Sequence, residues 1–363
     1  MAGEKKRTIG VLTSGGDCSG LNAVIRAVVH RAMHGYGWRV LGILDGTLGL
    51  LERPLRFEEL TLKLFTGNIL RLGGTILGTH TRGDPFDFPL PGGGTEDRSN
   101  SFISGYRELG LDGLIGIGGD GSLKILDRLA RQGEFDFIGI PKTIDNDVPL
   151  TEFAVGFSTA VDAAVEALDR LQPTAASHDR VMVLEVMGRD AGHIALYAGI
   201  GGGADVILIP EIPYSIDLIA EKIHSLRSEG RQHALVVCAE AARELSGERV
   251  LQDGTGGTAR YGGIGHVLGA CIAEATGAET RVTVLGHVQR GGVPDAHDRI
   301  TASAFGVRAV DLLASGQSGK MVAWQHRQVV DVPLAEVNMR ERRVGLDDTL
   351  VQTARGLGIC LGD

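Results

Sequence analysis

Short, almost continuous apolar runs alternate along the chain with longer segments in which apolar residues recur every three or four positions. The apolar runs predict buried β-strands, and the segments between them predict amphipathic helices. The strands are expected at residues 8–12, 40–44, 111–118, 135–140, 181–186, 206–209, 235–237 and 282–285. Because strands that are apolar throughout are buried on both faces, this alternation predicts an α/β protein with mainly parallel sheets and helices on both faces of each sheet.

The helical spacing is clearest directly after the first strand. Leu21, Val24 and Val28 share one face of a helix that is expected to end at Gly35, and Ser19 is expected to be its N-cap. The same spacing predicts further helices at residues 122–133, 160–171 and 216–226.

Two parts of the chain carry a weaker pattern. Residues 83–100 contain three prolines and several glycines, which predict an excursion loop. After residue 321 the pattern is too weak to assign an element, and the charged run at 338–343 indicates a solvated surface.

Each predicted strand leads into glycine or charged residues. The chain contains 54 glycines, about twice the usual share, and they cluster at these strand ends. Glycine allows the backbone to approach a ligand closely. Because parallel sheets bind ligands at the carboxyl ends of their strands, we expect the site there.

Two of these strand ends resemble phosphate-binding turns. Gly15-Gly16-Asp17 lies between a strand and a helix, where free N–H groups favour an anion, although the Gly-Lys-Ser/Thr of a P-loop is missing. At the third strand, Gly118-Gly119 precedes Asp120, which is placed to bind Mg²⁺, and Ser122, which can cap the next helix. A tight turn with a capping carboxylate is the alternative.

The segment at residues 141–147 carries the most specific chemistry. It contains Lys142, Asp145 and Asp147 directly after a buried strand. One carboxylate can accept a proton from an attacking hydroxyl, the other can orient a cation or substrate, and the lysine can neutralise a transferred phosphoryl group. The alternative is a solvated acidic turn, which the similar chemistry at the other strand ends disfavours.

Length, charge and cysteine content narrow the class of protein. A chain of 363 residues predicts two lobes. The net charge of −9 argues against a nucleic-acid-binding protein. Cys18, Cys238, Cys271 and Cys360 have neither metal nor disulfide spacing, which fits a reducing cytosol. No signal peptide or membrane span is expected, so the predicted location is cytoplasmic.

Five motifs in order resemble the phosphofructokinase family, and the resemblance covers residues 8 to about 316. They are Gly15-Gly16-Asp17 with Gly20-Leu21-Asn22, Gly118-Gly119-Asp120-Gly121-Ser122, the whole segment 141–147, Met187-Gly188-Arg189 and Gly286-His287-Val288-Gln289-Arg290-Gly291-Gly292. Each motif is common alone, but the ordered set is specific.

The resemblance implies a kinase that phosphorylates the 1-hydroxyl of fructose 6-phosphate. It implies an α/β fold of two lobes with the active site in the cleft between them. Residues 1–156 plus about 269–320 would form the phosphoryl-donor lobe for ATP and Mg²⁺. Residues 157–268 plus about 321–363 would form the fructose 6-phosphate lobe.

The resemblance also implies roles for individual residues. Asp145 matches the catalytic base, and Asp120 matches the Mg²⁺ ligand. The residues that match those around the reacting groups are Lys142, Thr143, Asp147 and Arg189. The residues that match the phosphoryl-donor site are Gly16, Gly119, Gly121 and Ser122. The residues that match the sugar-phosphate pocket are Thr143, Asp145, Met187, Gly188, Arg189, Glu240, His287 and Arg290.

Arg180 and Arg281 match two arginines that reach across from a neighbouring subunit, which implies a homodimer or homotetramer. A satisfied core histidine is the alternative for His287.

Two departures from the family pattern affect these assignments. Arg82 matches the donor-phosphate arginine only if one residue is inserted before it. His30 and Glu229 stand where regulated bacterial members have Arg and Lys, so we expect a weak effector response even though Arg26 is retained.

The identity of the phosphoryl donor stays open between ATP and pyrophosphate. Lys142 is more frequent in pyrophosphate-using members, whereas Gly121 favours ATP because those members usually have Asp there. We expect ATP, since an Asp would repel the α-phosphate while a lysine helps either donor.

Two further hypotheses concern a different class of protein. An NAD- or diacylglycerol-kinase-like enzyme would share the Gly-Gly-Asp-Gly loop, but that family lacks the 141–147 and His287–Arg290 motifs. A phosphosugar sensor would bind fructose 6-phosphate without turnover, but it would typically have lost the proton acceptor, and Asp145 is present.

Overall fold

The computed structural model describes residues 6–81, 83–245, 247, 251–252, 260–340 and 342–363. The chain divides into two compact units. Unit 1 comprises Met1–Thr143, Asp147–Thr159 and Arg290–Glu341, and unit 2 comprises Ile144–Asn146, Ala160–Gln289 and Arg342–Asp363. The predicted assignment of one lobe to each ligand stays a prediction.

The strands of the described residues are, in chain order, β1 (Thr8–Ser14), β2 (Arg39–Ile43), β3 (Phe57–Leu60), β4 (Phe88–Pro89), β5 (Thr95–Glu96), β6 (Gly113–Gly118), β7 (Phe137–Pro141), β8 (Val181–Val186), β9 (Val206–Leu208), β10 (Ala234–Ala239), β11 (Leu251–Gln252), β12 (Arg260–Tyr261), β13 (Thr280–Val284), β14 (Lys320–Gln325) and β15 (Gln328–Pro333). Each strand predicted from an apolar run is present, and no predicted end differs from the observed one by more than two residues.

The α-helices of the same residues are α1 (Leu21–Tyr36), α2 (Leu48–Leu51), α3 (Ser99–Glu108), α4 (Asp120–Gly133), α5 (Phe157–His178), α6 (His193–Gly201), α7 (Ile216–Ser228), α8 (Ile264–Thr276), α9 (Ala296–Ala314), α10 (Leu334–Val337) and α11 (Thr349–Gly356). Short 3-10 helices lie at Leu62–Phe65, Gly67–Arg71 and Gly286–Arg290. Within this part of the chain we find no helix with the length and hydrophobicity that a bilayer crossing requires.

The large sheet of unit 1 has the strand order β15-β14-β7-β6-β1-β2-β3. The pairs from β14 to β2 are parallel, and the edge pairs β2–β3 and β14–β15 are antiparallel. The fully buried β6 shows how helices cover both faces. A Cβ on Gly113 would lie 3.2 Å from Leu313 of α9, and a Cβ on Gly116 would lie 2.6 Å from Leu126 of α4. Because side chains alternate between faces along a strand, α9 and α4 pack on opposite faces.

The sheet of unit 2 has the order β13-β8-β10-β9, and all of its pairs are parallel. Val181 and Val183 of β8 share a core cluster with Ile219 of α7 and Leu268 of α8. On the opposite face, Ile207 of β9 contacts α6, since its side chain fills the space that a Cβ on Gly199 would need. The predicted arrangement of parallel sheets covered on both faces is thus confirmed in each unit.

Both predicted N-caps were wrong. Helix α1 starts after Gly20, which has a left-handed φ of 99°, and the Ser19 hydroxyl instead donates to the carbonyls of Gly291 and Gly292. Helix α4 starts at Asp120 after Gly119, so Ser122 lies inside the first turn.

The weakly patterned parts of the chain also contain regular structure. The predicted excursion loop holds the short antiparallel pair β4–β5, and the chain after residue 319 forms the β14–β15 hairpin. Strand β14 extends the large sheet beyond β7.

Gly306 is expected to be essential for the close packing of α1 on α9. In Gly306→Ala, the new Cβ would lie 2.7 Å from the Ala27 side chain and 2.9 Å from the Val24 carbonyl oxygen. Overpacking of this kind costs ~1–3 kcal/mol and exceeds the ~1 kcal/mol that alanine gains over glycine in a helix. Urea denaturation should show a lower unfolding midpoint. The control Gly356→Ala, which meets no atom within 4 Å, should show no loss.

Candidate active site

The carboxyl ends of β1, β6 and β7 lie level with one another in unit 1. Ser14 pairs with Gly118, and Gly118 pairs with Pro141. The backbone N–H of Lys142 continues this register by donating to the Gly118 carbonyl at 3.0 Å. The three loops that follow these strands are therefore neighbours.

The first glycine turn packs directly against the other two loops. Gly15 has a φ of 85°, and a Cβ on it would lie 3.0 Å from Ser122 Oγ and 3.4 Å from Lys142 Nζ. The Lys142 side chain is 4% exposed, and its Nζ donates to the Gly16 carbonyl. The structure thus brings the predicted residues Gly16, Ser122 and Lys142 together.

Arg290 joins the same group from a distant part of the chain. Its Nη1 donates to the Asp17 carbonyl at 3.2 Å, and a Cβ on Gly16 would lie 3.0 Å from that nitrogen. Two cationic side chains therefore flank a glycine turn that exposes backbone, which suits an anionic ligand.

The start of α4 forms the third side of this group. Gly119 is extended, Asp120 and Gly121 are exposed, and a Cβ on Gly121 would meet no atom within 4 Å. The helix presents its first N–H groups and positive dipole end here. Asp120 offers an exposed carboxylate beside that anion site, which fits a cation bound jointly by protein and phosphate.

The loop at 141–143 has a support that the sequence analysis missed. The Thr143 N–H donates to the Val155 carbonyl at 3.2 Å, and the next residue, Gly156, donates its N–H to the Asp298 carboxylate at 2.9 Å. Asp298 is 1% exposed and also accepts from the Thr159 hydroxyl at 2.6 Å. No short-range sequence pattern could have linked residues that are 142 positions apart.

Cys18 lies next to this support, but its thiol is expected to be unreactive. Its thiol is fully buried and lies 3.3 Å from the Val155 carbonyl. Burial raises the pKa of Cys18 to about 12, although the nearby Lys142 opposes the shift. At neutral pH the group is a thiol, which is a poor nucleophile.

In unit 2, a second set of predicted residues follows β8, β10 and β13. Ala239 pairs with Val186, and Val284 pairs with Glu185, so these carboxyl ends are also level. The Arg189 N–H donates to Glu240 Oε1 at 3.0 Å. The structure therefore brings Met187, Gly188, Arg189 and Glu240 together.

The loop after β8 has an unusual backbone. Gly188 has a φ of 146°, and a Cβ on it would lie 2.7 Å from the Ala191 carbonyl oxygen. Arg189 also has a positive φ, 50°, although it is not glycine, and its side chain is exposed. Such left-handed non-glycine residues cost free energy and concentrate at functional sites.

Asp145 lies in the short segment Ile144–Asn146, which belongs to unit 2, and it is 3% exposed. The next residue, Asn146, is fully buried with a φ of 53°. Asp147 is half-buried and belongs to unit 1, and His287 is exposed at the start of a 3-10 helix. Arg82 lies outside the described residues.

A family model described as Phosphofructokinase matches residues 8–313. This chain belongs to the phosphofructokinase family.

The similarity to known phosphofructokinases covers almost the whole chain. ATP-dependent 6-phosphofructokinase 1 of Synechocystis sp. is 59% identical over 364 residues, and ATP-dependent 6-phosphofructokinase 1 of Nostoc sp. is 58% identical over 359 residues. Each alignment covers 99% of both chains. The solved phosphofructokinase of Saccharomyces cerevisiae has a TM-score of 0.78 at 31% identity, and the match covers 92% of this chain and 45% of the yeast chain. The predicted family, fold class and phosphotransferase type are confirmed.

The two arginines that the resemblance assigns to a neighbouring subunit's site lie elsewhere in unit 2. Arg180 precedes β8 and Arg281 is the second residue of β13, so both are at the amino ends of their strands. Glu279 Oε1 accepts from both guanidinium groups. At about 3.3 Å per residue, the strand puts roughly 15–25 Å between these arginines and the loop after β8. The structure therefore does not join them to the other site residues of their own unit.

We expect Cys18 to resist alkylation although it neighbours the predicted site. At pH 8, a thiol with a pKa of about 12 is thiolate only at the ~10⁻⁴ level, and Cys18 is also fully buried. Mass spectrometry after brief iodoacetamide treatment should find the half-buried Cys271 modified before Cys18. Urea-unfolded protein is the control, in which all four cysteines should react equally. Rapid labelling of Cys18 in the native protein would contradict the assignment.

Proposed function

We propose that this chain is an ATP-dependent 6-phosphofructokinase that acts in glycolysis. It transfers the γ-phosphoryl group of ATP to the 1-hydroxyl of fructose 6-phosphate and yields fructose 1,6-bisphosphate. The observation that carries the proposal is the grouping of Gly16, Ser122, Lys142 and Arg290 at the carboxyl ends of three level strands. The relatives at 59% and 58% identity bear the same activity in their names.

In this proposal, unit 1 binds the phosphoryl donor. Backbone at Gly16, Gly119 and Gly121 approaches the phosphates, and the first turn of α4 supplies N–H groups. Arg82 would add a cation to the donor phosphates, given the one-residue insertion on which its match to the family depends. Lys142 neutralises charge on the transferred phosphoryl oxygens.

Mg²⁺ is part of the same proposal. Asp120 would hold it together with phosphate oxygens, because Mg²⁺ sites in kinases use one or two carboxylates plus substrate phosphates. The described residues contain no group of three or more His, Cys, Asp or Glu side chains arranged as a metal site. When bound, the cation would offset negative charge on the donor phosphates.

Unit 2 supplies the groups for the sugar phosphate. Glu240 accepts hydrogen bonds from sugar hydroxyls, and Arg189 grips a phosphoryl oxygen. His287 and Arg290 are assigned to the 6-phosphate on the family resemblance; a guanidinium can hold a phosphate by two parallel hydrogen bonds.

The chemical step needs a proton acceptor and an in-line displacement. Asp145 accepts the proton of the 1-hydroxyl while that oxygen forms its bond to the γ-phosphorus. The bond from the γ-phosphorus to the β–γ bridging oxygen breaks, and ADP leaves with that oxygen. Thr143 and Asp147 orient the reacting groups. Asp145 later gives its proton to solvent.

We also propose that the enzyme is a cytoplasmic homo-oligomer. Arg180 and Arg281 would complete the site of a neighbouring subunit, because they lie far from the other sugar-phosphate residues of their own unit. Helix α9 exposes the apolar side chains of Ile300 and Val307, seven residues apart on one face, as a subunit contact would require. The cysteines Cys18, Cys238, Cys271 and Cys360 are all free thiols, which suits a reducing compartment.

Removing the proposed base should slow turnover. Asp145→Asn keeps the size of the side chain but cannot take up a proton, and general-base catalysis contributes roughly 10²–10⁴-fold. A coupled assay should show a kcat reduced by that factor and a nearly unchanged KM for fructose 6-phosphate. Asp217→Asn, which changes an exposed carboxylate on α7, is the control. Turnover of Asp145→Asn near that of the wild type would refute the role.

We expect the residue at position 121 to determine which phosphoryl donor the enzyme uses. A side chain at Gly121 meets no protein atom within 4 Å, so Gly121→Asp should fold normally while its carboxylate repels the nucleotide phosphates. We expect the KM for ATP to rise at least about tenfold, and Gly121→Asn, of equal size without charge, to have a smaller effect. The wild type should use ATP. Turnover with pyrophosphate and only a trace with ATP would overturn the proposal in favour of the alternative donor.

Mixing two inactive variants should restore activity if the arginines act across subunits. An oligomer that contains Asp145→Asn and Arg180→Ala chains forms some sites with both wild-type residues. Random pairing in dimers should recover about a quarter of the wild-type activity after joint refolding. Light scattering on the wild type should show a dimer or tetramer. An active monomer, or no recovery in mixed oligomers, would contradict the assembly.

A further inference from the structure

Gln289 is a buried amide within the 3-10 helix Gly286–Arg290. It is 1% exposed and lies between His287 and Arg290, both of which are assigned to the sugar phosphate in the proposed function. Its Oε1 accepts from the Met187 N–H at 2.9 Å, and its Nε2 donates to the Ala160 carbonyl at 3.1 Å. Both polar ends of the amide are therefore bonded inside unit 2, which fixes the orientation of the amide.

The bond to Met187 takes the place of a backbone bond. The parallel ladder between β8 and β13 ends where the Leu285 N–H donates to the Glu185 carbonyl at 3.1 Å. The next bond of a parallel ladder would join the Met187 N–H to a carbonyl of the β13 chain. That chain instead turns at Gly286, which has a φ of 51°, and the side chain of Gln289 supplies the acceptor.

The loop after β8 is thus held at three points. Met187 is bonded to Gln289, the Arg189 N–H is bonded to Glu240, and the Ala191 N–H donates to the Gly188 carbonyl at 3.0 Å. Of these bonds, the one to Gln289 links the loop to the segment that carries His287. A shift of this amide would move the two halves of the sugar-phosphate site relative to each other.

We propose that Gln289 is a positioning residue for fructose 6-phosphate. It does not contact the substrate. It sets the distance between the Met187–Arg189 loop and His287, and it anchors both to α5 through Ala160. The inference rests on the proposed function, because it assigns those flanking residues to the sugar phosphate.

Two substitutions separate positioning from general stability. Gln289→Met keeps nearly the same volume and removes both hydrogen bonds. Gln289→Glu keeps the acceptor for Met187 but can donate to Ala160 only while the new carboxyl group is protonated. Burial raises the pKa of such a carboxyl group, and the facing Ala160 carbonyl raises it further, because both disfavour the charged form.

The expected readout is the KM for fructose 6-phosphate, measured for wild type and variants at each pH between 6 and 9. Gln289→Met should raise this KM at least about tenfold at every pH, since two buried hydrogen bonds are lost. The KM for ATP should change less than about twofold. For Gln289→Glu, the ratio of its KM to the wild-type KM should be small at low pH and rise as the carboxyl group ionises. Gln232→Met, which alters an exposed amide of the same unit, is the control.

The outcomes are distinguishable. Wild-type protein without turnover of fructose 6-phosphate overturns the proposed function and this inference with it. An active wild type with an unchanged KM in Gln289→Met overturns the inference alone, even if the melting temperature falls. If Gln289→Met does not fold, the pH profile of Gln289→Glu decides, and a ratio that stays constant with pH overturns the positioning role.

Discussion

The level parallel pairing of β1, β6 and β7 is the constraint on which the rest of the unit 1 site depends. Because Ser14, Gly118 and Pro141 are register partners, the three following loops start from one edge and must share one small volume. Glycine at 15, 16 and 118 makes that possible, since Ser122, Lys142 and Arg290 occupy the space that side chains at these positions would fill. Unit 2 has the same arrangement: the loops after β8, β10 and β13 also start from level strand ends.

Buried polar side chains hold the backbone behind these loops. Glu185, 2% exposed, accepts from the N–H groups of Gly263 and Gly265 and so fixes the start of α8. Asp298 does the same for the start of α5; burial raises the pKa of its carboxyl group, and the hydrogen bonds from Thr159 and Gly156 counteract that rise. Gln289 is a third buried polar side chain of this kind, with hydrogen bonds to Met187 and Ala160. Such groups are costly unless fully bonded, so each permits only one arrangement of the segments that it joins.

The strand cores and most helices could be predicted because each depends on its own residues. An apolar run such as 181–186 between polar residues has few alternatives to a buried strand, and the leucines of α4 define a single buried face. The loops of the candidate site were predicted from the rule that parallel sheets bind ligands at their carboxyl ends, and the structure shows that these strand ends are level within each unit. The predictions that were wrong or missing concern residues whose bonding partners are distant in sequence. The Ser19 hydroxyl bonds to residues 272 and 273 positions away, and β14 is a strand because β7 offers it an edge.

If residue 121 selects the donor as proposed, the open space around it would let donor preference change without a change in the fold. Glycine and aspartate codons differ by one nucleotide, GGT or GGC against GAT or GAC. A Cβ at this position meets nothing within 4 Å, so the mutant chain would not have to repack any neighbour. Under that proposal, a lineage could change its phosphoryl donor from ATP to pyrophosphate in a single mutational step, without passing through an unstable intermediate.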